Sequence, residues 1–104
     1  MKGKTKAEIL AELGNLPAEI YDKLVEKFKT ISADQLDRLE ECVKTGNTAE
    51  GGDLAHSMKG AAANLRLEPI YARVIALEKD IKAGKQLPAI APKLTALRKL
   101  VEKL

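Results

Sequence analysis

The stretch that decides the fold is residues 48–65, which read TAEGGDLAHSMKGAAANL. Its larger apolar side chains and one alanine recur at intervals of three or four residues, at Leu54, Met58, Ala61 and Leu65. This period places them on one face of an α-helix and leaves polar or small residues on the other face. Asn47, with Glu50 three residues later, is typical of a helix N-terminus. The sequence therefore predicts an amphipathic helix with one buried side.

The same helical period continues on both sides of this stretch. The predicted elements are a short helix at about 5–13 and long helices at about 17–44, 48–65, 69–83 and 88–103. Ser32–Asp34 could begin a new helix, so residues 17–44 form either one helix or two in tandem. Because the links are short and no stretch is rich in strand-forming residues, we expect one all-α domain over residues 1–104. Its predicted architecture is an antiparallel up-down four-helix bundle with a short additional N-terminal helix.

Each of the other long helices carries an apolar stripe that we expect to face the core. On the helix at 17–44 this stripe consists of Ile20, Leu24, Phe28, Ile31, Leu36, Leu39 and Val43. On the last two helices it consists of Ile70, Val74, Leu77, Ile81, Ile90, Leu94, Leu97 and Val101. A chain of 104 residues can bury enough surface for one such core.

Composition excludes several classes of protein. One Cys and one His cannot form an internal disulfide or a four-ligand zinc site. No apolar run approaches the roughly 18 residues that a membrane span needs. The basic start of the chain is not followed by the apolar segment of a signal peptide. We therefore expect a cytoplasmic protein that binds neither a metal ion nor a membrane. We also expect it to be a monomer.

The charge balance leaves one weak alternative open. Basic residues exceed acidic ones by 18 to 15, and some of them cluster at the two ends, at Lys2, Lys4, Lys6, Arg98, Lys99 and Lys103. Such ends could bind nucleic acid through phosphate contacts. Acidic residues interleave with them, however, and the three aromatic residues offer few platforms for base stacking. We expect no nucleic-acid partner.

The only histidine, His56, lies in the middle of the helix at 48–65 on an unusual face. The residues that share this face are Gly52, Asp53, Lys59, Gly60 and Ala63. Exposed helix positions usually carry long polar side chains, and a mid-helix glycine costs about 1 kcal/mol relative to alanine. Gly60 therefore indicates cleared space beside the ring. An unprotonated imidazole is a nucleophile at neutral pH, and a lysine one turn away suits an anion, so this face fits a phosphoryl group.

Residues 55–65, AHSMKGAAANL, together with Ala76-Leu77-Glu78, resemble the histidine-containing phosphotransfer (HPt) domain family. The resemblance implies that His56 accepts the phosphoryl group on Nε2 and that Lys59 stays near the phosphoryl oxygens. It also implies that Gly60 admits the active site of the partner. Glu78, 22 residues after the histidine, resembles the glutamate that orients the imidazole through Nδ1. The alternative for Glu78 is a solvated carboxylate paired with Lys82.

The sequence departs from the family at three places. Arg66 stands where the family usually has the glycine of a left-handed helix end. Arg66 could instead direct positive charge toward a partner or a phosphate. The pair Gly51-Gly52 lies in the first turns of the histidine helix, so we expect this end to fray. Asp53 places a negative charge beside a site that must become anionic.

The resemblance implies a phosphocarrier of a multistep phosphorelay. His56 would take a phosphoryl group from the aspartate of one receiver domain and pass it to another, without ATP-dependent autokinase activity and without a cofactor of its own. We expect Mg²⁺ on the partner receiver domain. The predicted partner-docking surface consists of Gly52, Asp53, Ala63 and Arg66. The alternative is a four-helix binding or adaptor module that sequesters a receiver or another signalling partner without accepting phosphate.

Overall fold

The computed structural model describes residues 4–104, and this part of the chain contains five helices and no strand. The helices are α1 (Lys6–Glu12), α2 (Ala18–Thr45), α3 (Thr48–Asn64), α4 (Glu68–Lys82) and α5 (Leu87–Glu102). Every predicted helix is present, with its ends within one residue of the prediction, and α2 is one continuous helix. Met1–Gly3, which include Lys2 of the basic N-terminal segment, lie outside the described residues.

The four long helices form the predicted bundle. The short connections make successive helices antiparallel; α3 packs between α2 and α4, and α5 packs against both of the same neighbours. The fully buried side chains at the centre of the core are Leu36, Leu39, Met58, Val74, Leu77, Ile90 and Leu97. This arrangement leaves one side of α3 open to solvent, and His56 lies on that side.

The apolar stripe of α2 agrees with the prediction in part. Phe28, Leu36 and Leu39 are buried, together with Tyr21 and Ser32. Ile20, Leu24 and Ile31 were predicted to face the core, but they are exposed. Each immediately precedes a position of the inward line, which rotates its side chain by about 100° around the helix. Three large apolar side chains of α2 therefore face solvent.

Two expectations for α3 need the same kind of correction. Ala61 was predicted to be buried, but it is exposed, and Ala55 and Ala62 occupy the core instead. Gly51 was expected to lie in a frayed helix end, but it is buried in regular helix. A Cβ atom on Gly51 would lie 3.2 Å from Cγ2 of Ile81, so the missing side chain allows α3 and α4 to approach closely.

Helix α3 is followed by a left-handed residue, Arg66, with φ of 58°. Its guanidinium Nη1 donates hydrogen bonds to the carbonyl oxygens of Ala63 and Asn64, each 3.1 Å long. Its Nε donates to Oε1 of Glu12 on α1, also at 3.1 Å. Arg66 therefore closes its own helix and ties α1 to the bundle.

We predict that an Arg66→Gly variant is more stable than an Arg66→Ala variant. Both variants lose the side-chain hydrogen bonds, but only glycine adopts the left-handed conformation without steric cost, which is about 1 kcal/mol for alanine. Urea unfolding of the two variants measures this difference in the free energy of unfolding. Equal stability of the two would contradict a left-handed conformation at this position.

Candidate functional site

The side chain of His56 projects from the open side of α3 and is 74% exposed. Because α3 and α4 are antiparallel, the turn between them brings Glu78 of α4 to the height of the ring. Nδ1 of His56 lies 3.6 Å from Oε2 of Glu78, which is too long for a hydrogen bond but close enough that a small side-chain adjustment would form one. The ring edge that carries Nδ1 therefore faces a carboxylate.

Glu78 is buried, with only 8% of its side chain exposed, and two lysines compensate its charge. Nζ of Lys59 donates a hydrogen bond of 2.8 Å to Oε1. Nζ of Lys82 lies 3.4 Å from Oε2. The hydrogen bond from Lys59 is the main reason why the pKa of Glu78 lies below its usual value, and Lys82 lowers it further against the effect of burial. Glu78 is thus ionised at neutral pH.

The structure contains the contact that each of the two interpretations of Glu78 predicts. The predicted pair with Lys82 is present, but the carboxylate is buried rather than solvated. The predicted proximity to Nδ1 of His56 is also present. Oε2 is buried and makes no hydrogen bond with any of the residues described. An unoccupied acceptor of this kind, facing a ring nitrogen, is suited to receive an N–H donor.

The small residues of the histidine face leave open space, as expected. Gly60 is exposed, and a Cβ atom built there would have no neighbour within 4 Å beyond its own helix backbone. Ala63, one turn further along α3, is also exposed. A flat surface of this kind lets another protein approach the ring closely.

Two residues of the predicted docking surface have a different placement. Gly52 is buried, because the stem of Lys82 crosses it: Cε of Lys82 would lie 3.9 Å from a Cβ atom on Gly52. The guanidinium of Arg66 is bound to Glu12 and to the end of α3, so it is not available as a free cation for a phosphate. Asp53 is exposed, as predicted.

Two depressions flank α3 at the level of His56. The polar depression, between α3 and α4, has a volume of about 460 Å³ and is lined by Thr48, Ala49, Gly52, Asp53, His56 and Lys82. The apolar groove, between α2 and α3, has a volume of about 410 Å³ and is lined by Leu24, Lys27, Phe28, Ile31, Gln35, Ser57, Ala61, Asn64 and Leu65. Charged groups thus meet on one side of the histidine and apolar groups on the other.

The sequence analysis did not predict the apolar groove. It considered Lys82 only as an ion-pair partner of Glu78 on the same helix. Leu24 and Ile31, which line the groove, were predicted to face the core together with the rest of the apolar stripe of α2. That stripe of seven residues is wider than the line of α2 residues that contacts the core. The signal for it was the interval of five residues between Ile31 and Leu36, which breaks the spacing of three or four residues along the stripe.

Among residues 4–104 there is no group of three or more His, Cys, Asp or Glu side chains placed to hold a metal ion. No helix within this part of the chain combines the length and the apolar character needed to cross a membrane.

Comparison with known proteins agrees with this geometry. The family model described as Hpt domain matches residues 23–104, which include α3, α4, α5 and most of α2. Neither the search of curated proteins nor the search of solved structures returned a match. Hpt domains are helical phosphocarriers of two-component signalling that interact with receiver domains, and they are not kinases. The match covers most of the chain, which therefore belongs to the Hpt domain family.

Proposed function

We propose that this protein carries a phosphoryl group on Nε2 of His56 between the aspartates of receiver domains. The observation that supports this most strongly is the environment of the ring: an exposed imidazole whose Nδ1 edge faces a buried, ionised carboxylate. A proton held on Nδ1 by Glu78 leaves the lone pair of Nε2 free. Family membership supports the same reaction class.

The proposed transfer step is balanced without an external base. The lone pair of Nε2 forms a bond to phosphorus while the acyl P–O bond of the aspartyl phosphate breaks, and the electron pair of that bond stays on the leaving carboxylate. The proton on Nδ1 remains in place, so the imidazole ring gains one positive charge. Glu78 stabilises that charge from the other edge of the ring. The return transfer to a second receiver reverses these changes.

The partner supplies the remaining chemistry in this proposal. A receiver domain brings the aspartate, and we expect it to bring the Mg²⁺ that neutralises charge on the phosphoryl group. His56 then presents the nucleophile, and Gly60 allows the partner to approach closely. Glu78 compensates the positive charge of the ring, and Lys59 compensates the charge of Glu78.

We further propose that the receiver docks over the apolar groove and the small residues beside His56. The groove is continuous with the histidine face through Ser57 and Ala61, which immediately follow His56 and Gly60 in α3. Exposed apolar side chains next to a reactive group are typical of a protein interface. Asp53 and Ala63 lie on the same open side, whereas the guanidinium of Arg66 is held by Glu12 and by the end of α3.

The direct test is transfer of labelled phosphate from phosphorylated receiver domains. We expect label that is stable in alkali, labile in acid and absent from a His56→Gln variant, because this is the only histidine of the chain. The exposed ring makes few packing contacts, so His56→Gln should fold normally. If no receiver transfers phosphate but receivers still bind both proteins equally, the alternative adaptor module would replace the phosphocarrier.

A bulky residue at Gly60 should block transfer while the bundle stays folded. Gly60→Leu improves helix propensity by up to about 1 kcal/mol, so thermal unfolding should occur at the same or a higher temperature. The leucine fills the space beside the ring, and we expect the transfer rate to fall by at least about tenfold. Thr95→Leu, at an exposed position of α5, is the matched control and should transfer normally. Normal transfer by Gly60→Leu would refute the argument from cleared space.

The groove can be tested with two isoleucines of similar exposure. Ile31 in the groove is 46% exposed, and Ile75 on α4 is 41% exposed but lies outside it. We expect Ile31→Glu to weaken receiver binding by about tenfold, because the complex would bury a charge against apolar surface. Ile75→Glu should leave the affinity unchanged. Titration calorimetry with a receiver domain measures both, and equal losses would exclude the groove as the docking surface.

A further inference from the structure

The two lysines that compensate Glu78 are held very differently. Lys59 makes a direct hydrogen bond to Oε1, and its side chain is 26% exposed. Lys82 lies 3.4 Å from Oε2 without a hydrogen bond to it, and its side chain is 64% exposed. Lys59 is therefore the fixed partner of the carboxylate, whereas Lys82 is a loosely held one.

Burial of Glu78 limits which lysine can leave it. A buried carboxylate that loses its partner is strongly destabilising, so at least one lysine must stay within contact. The shorter and less exposed contact, that of Lys59, is the costlier one to break. The solvated ammonium of Lys82 can move with a much smaller penalty, because water already surrounds most of it.

The position of Lys82 gives it access to the histidine. Its stem crosses Gly52, where the absence of a side chain leaves the room it occupies. From there its ammonium borders the same polar depression as His56. A phosphoryl group on the ring would add about two negative charges at the edge of this depression. Lys82 is the cation that reaches the depression from α4.

From these contacts we infer that Lys82, rather than Lys59, is the cation that binds the phosphoryl group on His56, while Lys59 remains on Glu78. The inference rests on the proposed function, since it concerns the phosphorylated form of the same histidine. It departs from the role that the family resemblance implies for Lys59.

The exchange of partners also accounts for the unused oxygen of Glu78. When Lys82 moves toward the phosphoryl oxygens, Oε2 loses its nearest cation. The ring has gained a positive charge at that moment, and its Nδ1 lies 3.6 Å from Oε2, so its N–H can take the place of the Lys82 ammonium after a small side-chain adjustment. The carboxylate thus trades a lysine for the imidazolium and is never without a positive partner. No covalent bond changes in this exchange, only the ion pairs.

The test loads His56 with a chemical phosphate donor, phosphoramidate, and follows the phosphohistidine by ³¹P NMR as the pH is varied. A nearby cation favours the dianionic phosphoryl group and lowers the midpoint of this titration. We expect Lys82→Gln to raise the midpoint by about 0.5 pH unit, as for an exposed ion pair, and we expect 1 M salt to reduce the difference. Lys82→Arg should restore the wild-type midpoint.

Two further variants separate this role from a structural one. Lys79→Gln removes an exposed lysine of α4 outside the site and should change neither the midpoint nor the unfolding temperature. Lys59→Gln should lower the unfolding temperature, because Glu78 loses its fixed partner, while Lys82→Gln should not. An unchanged midpoint in Lys82→Gln, or a larger shift in Lys59→Gln, would overturn the assignment.

The same experiment distinguishes this inference from the proposed function. Loading by phosphoramidate needs no receiver, so the titration reports on Lys82 even if no receiver transfers phosphate. Conversely, receiver-dependent transfer to the wild-type protein can succeed while the midpoint of Lys82→Gln stays unchanged, which would refute the role of Lys82 alone.

Discussion

The buried carboxylate of Glu78 is the constraint around which the site is built. A charged group in this position persists only with partners, and the antiparallel hairpin of α3 and α4 supplies them from both helices: Lys59 and His56 from α3, and Lys82 from α4. The close approach of the two helices depends in turn on Gly51, which has no side chain to hold Ile81 away. The position of the carboxylate beside the ring thus depends on a packing contact between α3 and α4.

The two sides of the histidine have separate tasks in the proposed mechanism. The side toward α4 holds the charged groups, which compensate a phosphoryl group and the imidazolium. The side toward α2 holds Leu24, Ile31 and the small residues of α3, which can bury surface against a partner. Docking and charge compensation do not compete for the same residues, so the partner can approach the ring while Glu78 stays covered. Arg66 has no part in either task, since it secures the end of α3 and α1.

Helical periodicity predicted the bundle. The helix ends were also predicted closely, because capping residues such as Asn47 and Gly46 act through local hydrogen bonds and backbone conformation. Periodicity did not predict which apolar residues of α2 are buried. That choice depends on how α2 is rotated against α3 and α5, and the observed rotation buries Phe28 and Ser32 but leaves Ile31 at the surface. Spacing likewise placed Glu78 near His56, but only the packing of α3 on α4 shows the carboxylate to be buried and shared by two lysines.

The central claim is that Glu78 holds the proton of His56 on Nδ1 and leaves Nε2 free as the nucleophile. Nitrogen-15 NMR of the ring in the unphosphorylated protein, above the pH at which the imidazole is protonated, tests this directly. The account predicts a protonated Nδ1 and an unprotonated Nε2, with the tautomer balance shifting toward Nε2–H in a Glu78→Leu variant. A ring that carries its proton mainly on Nε2 in the wild-type protein would contradict it.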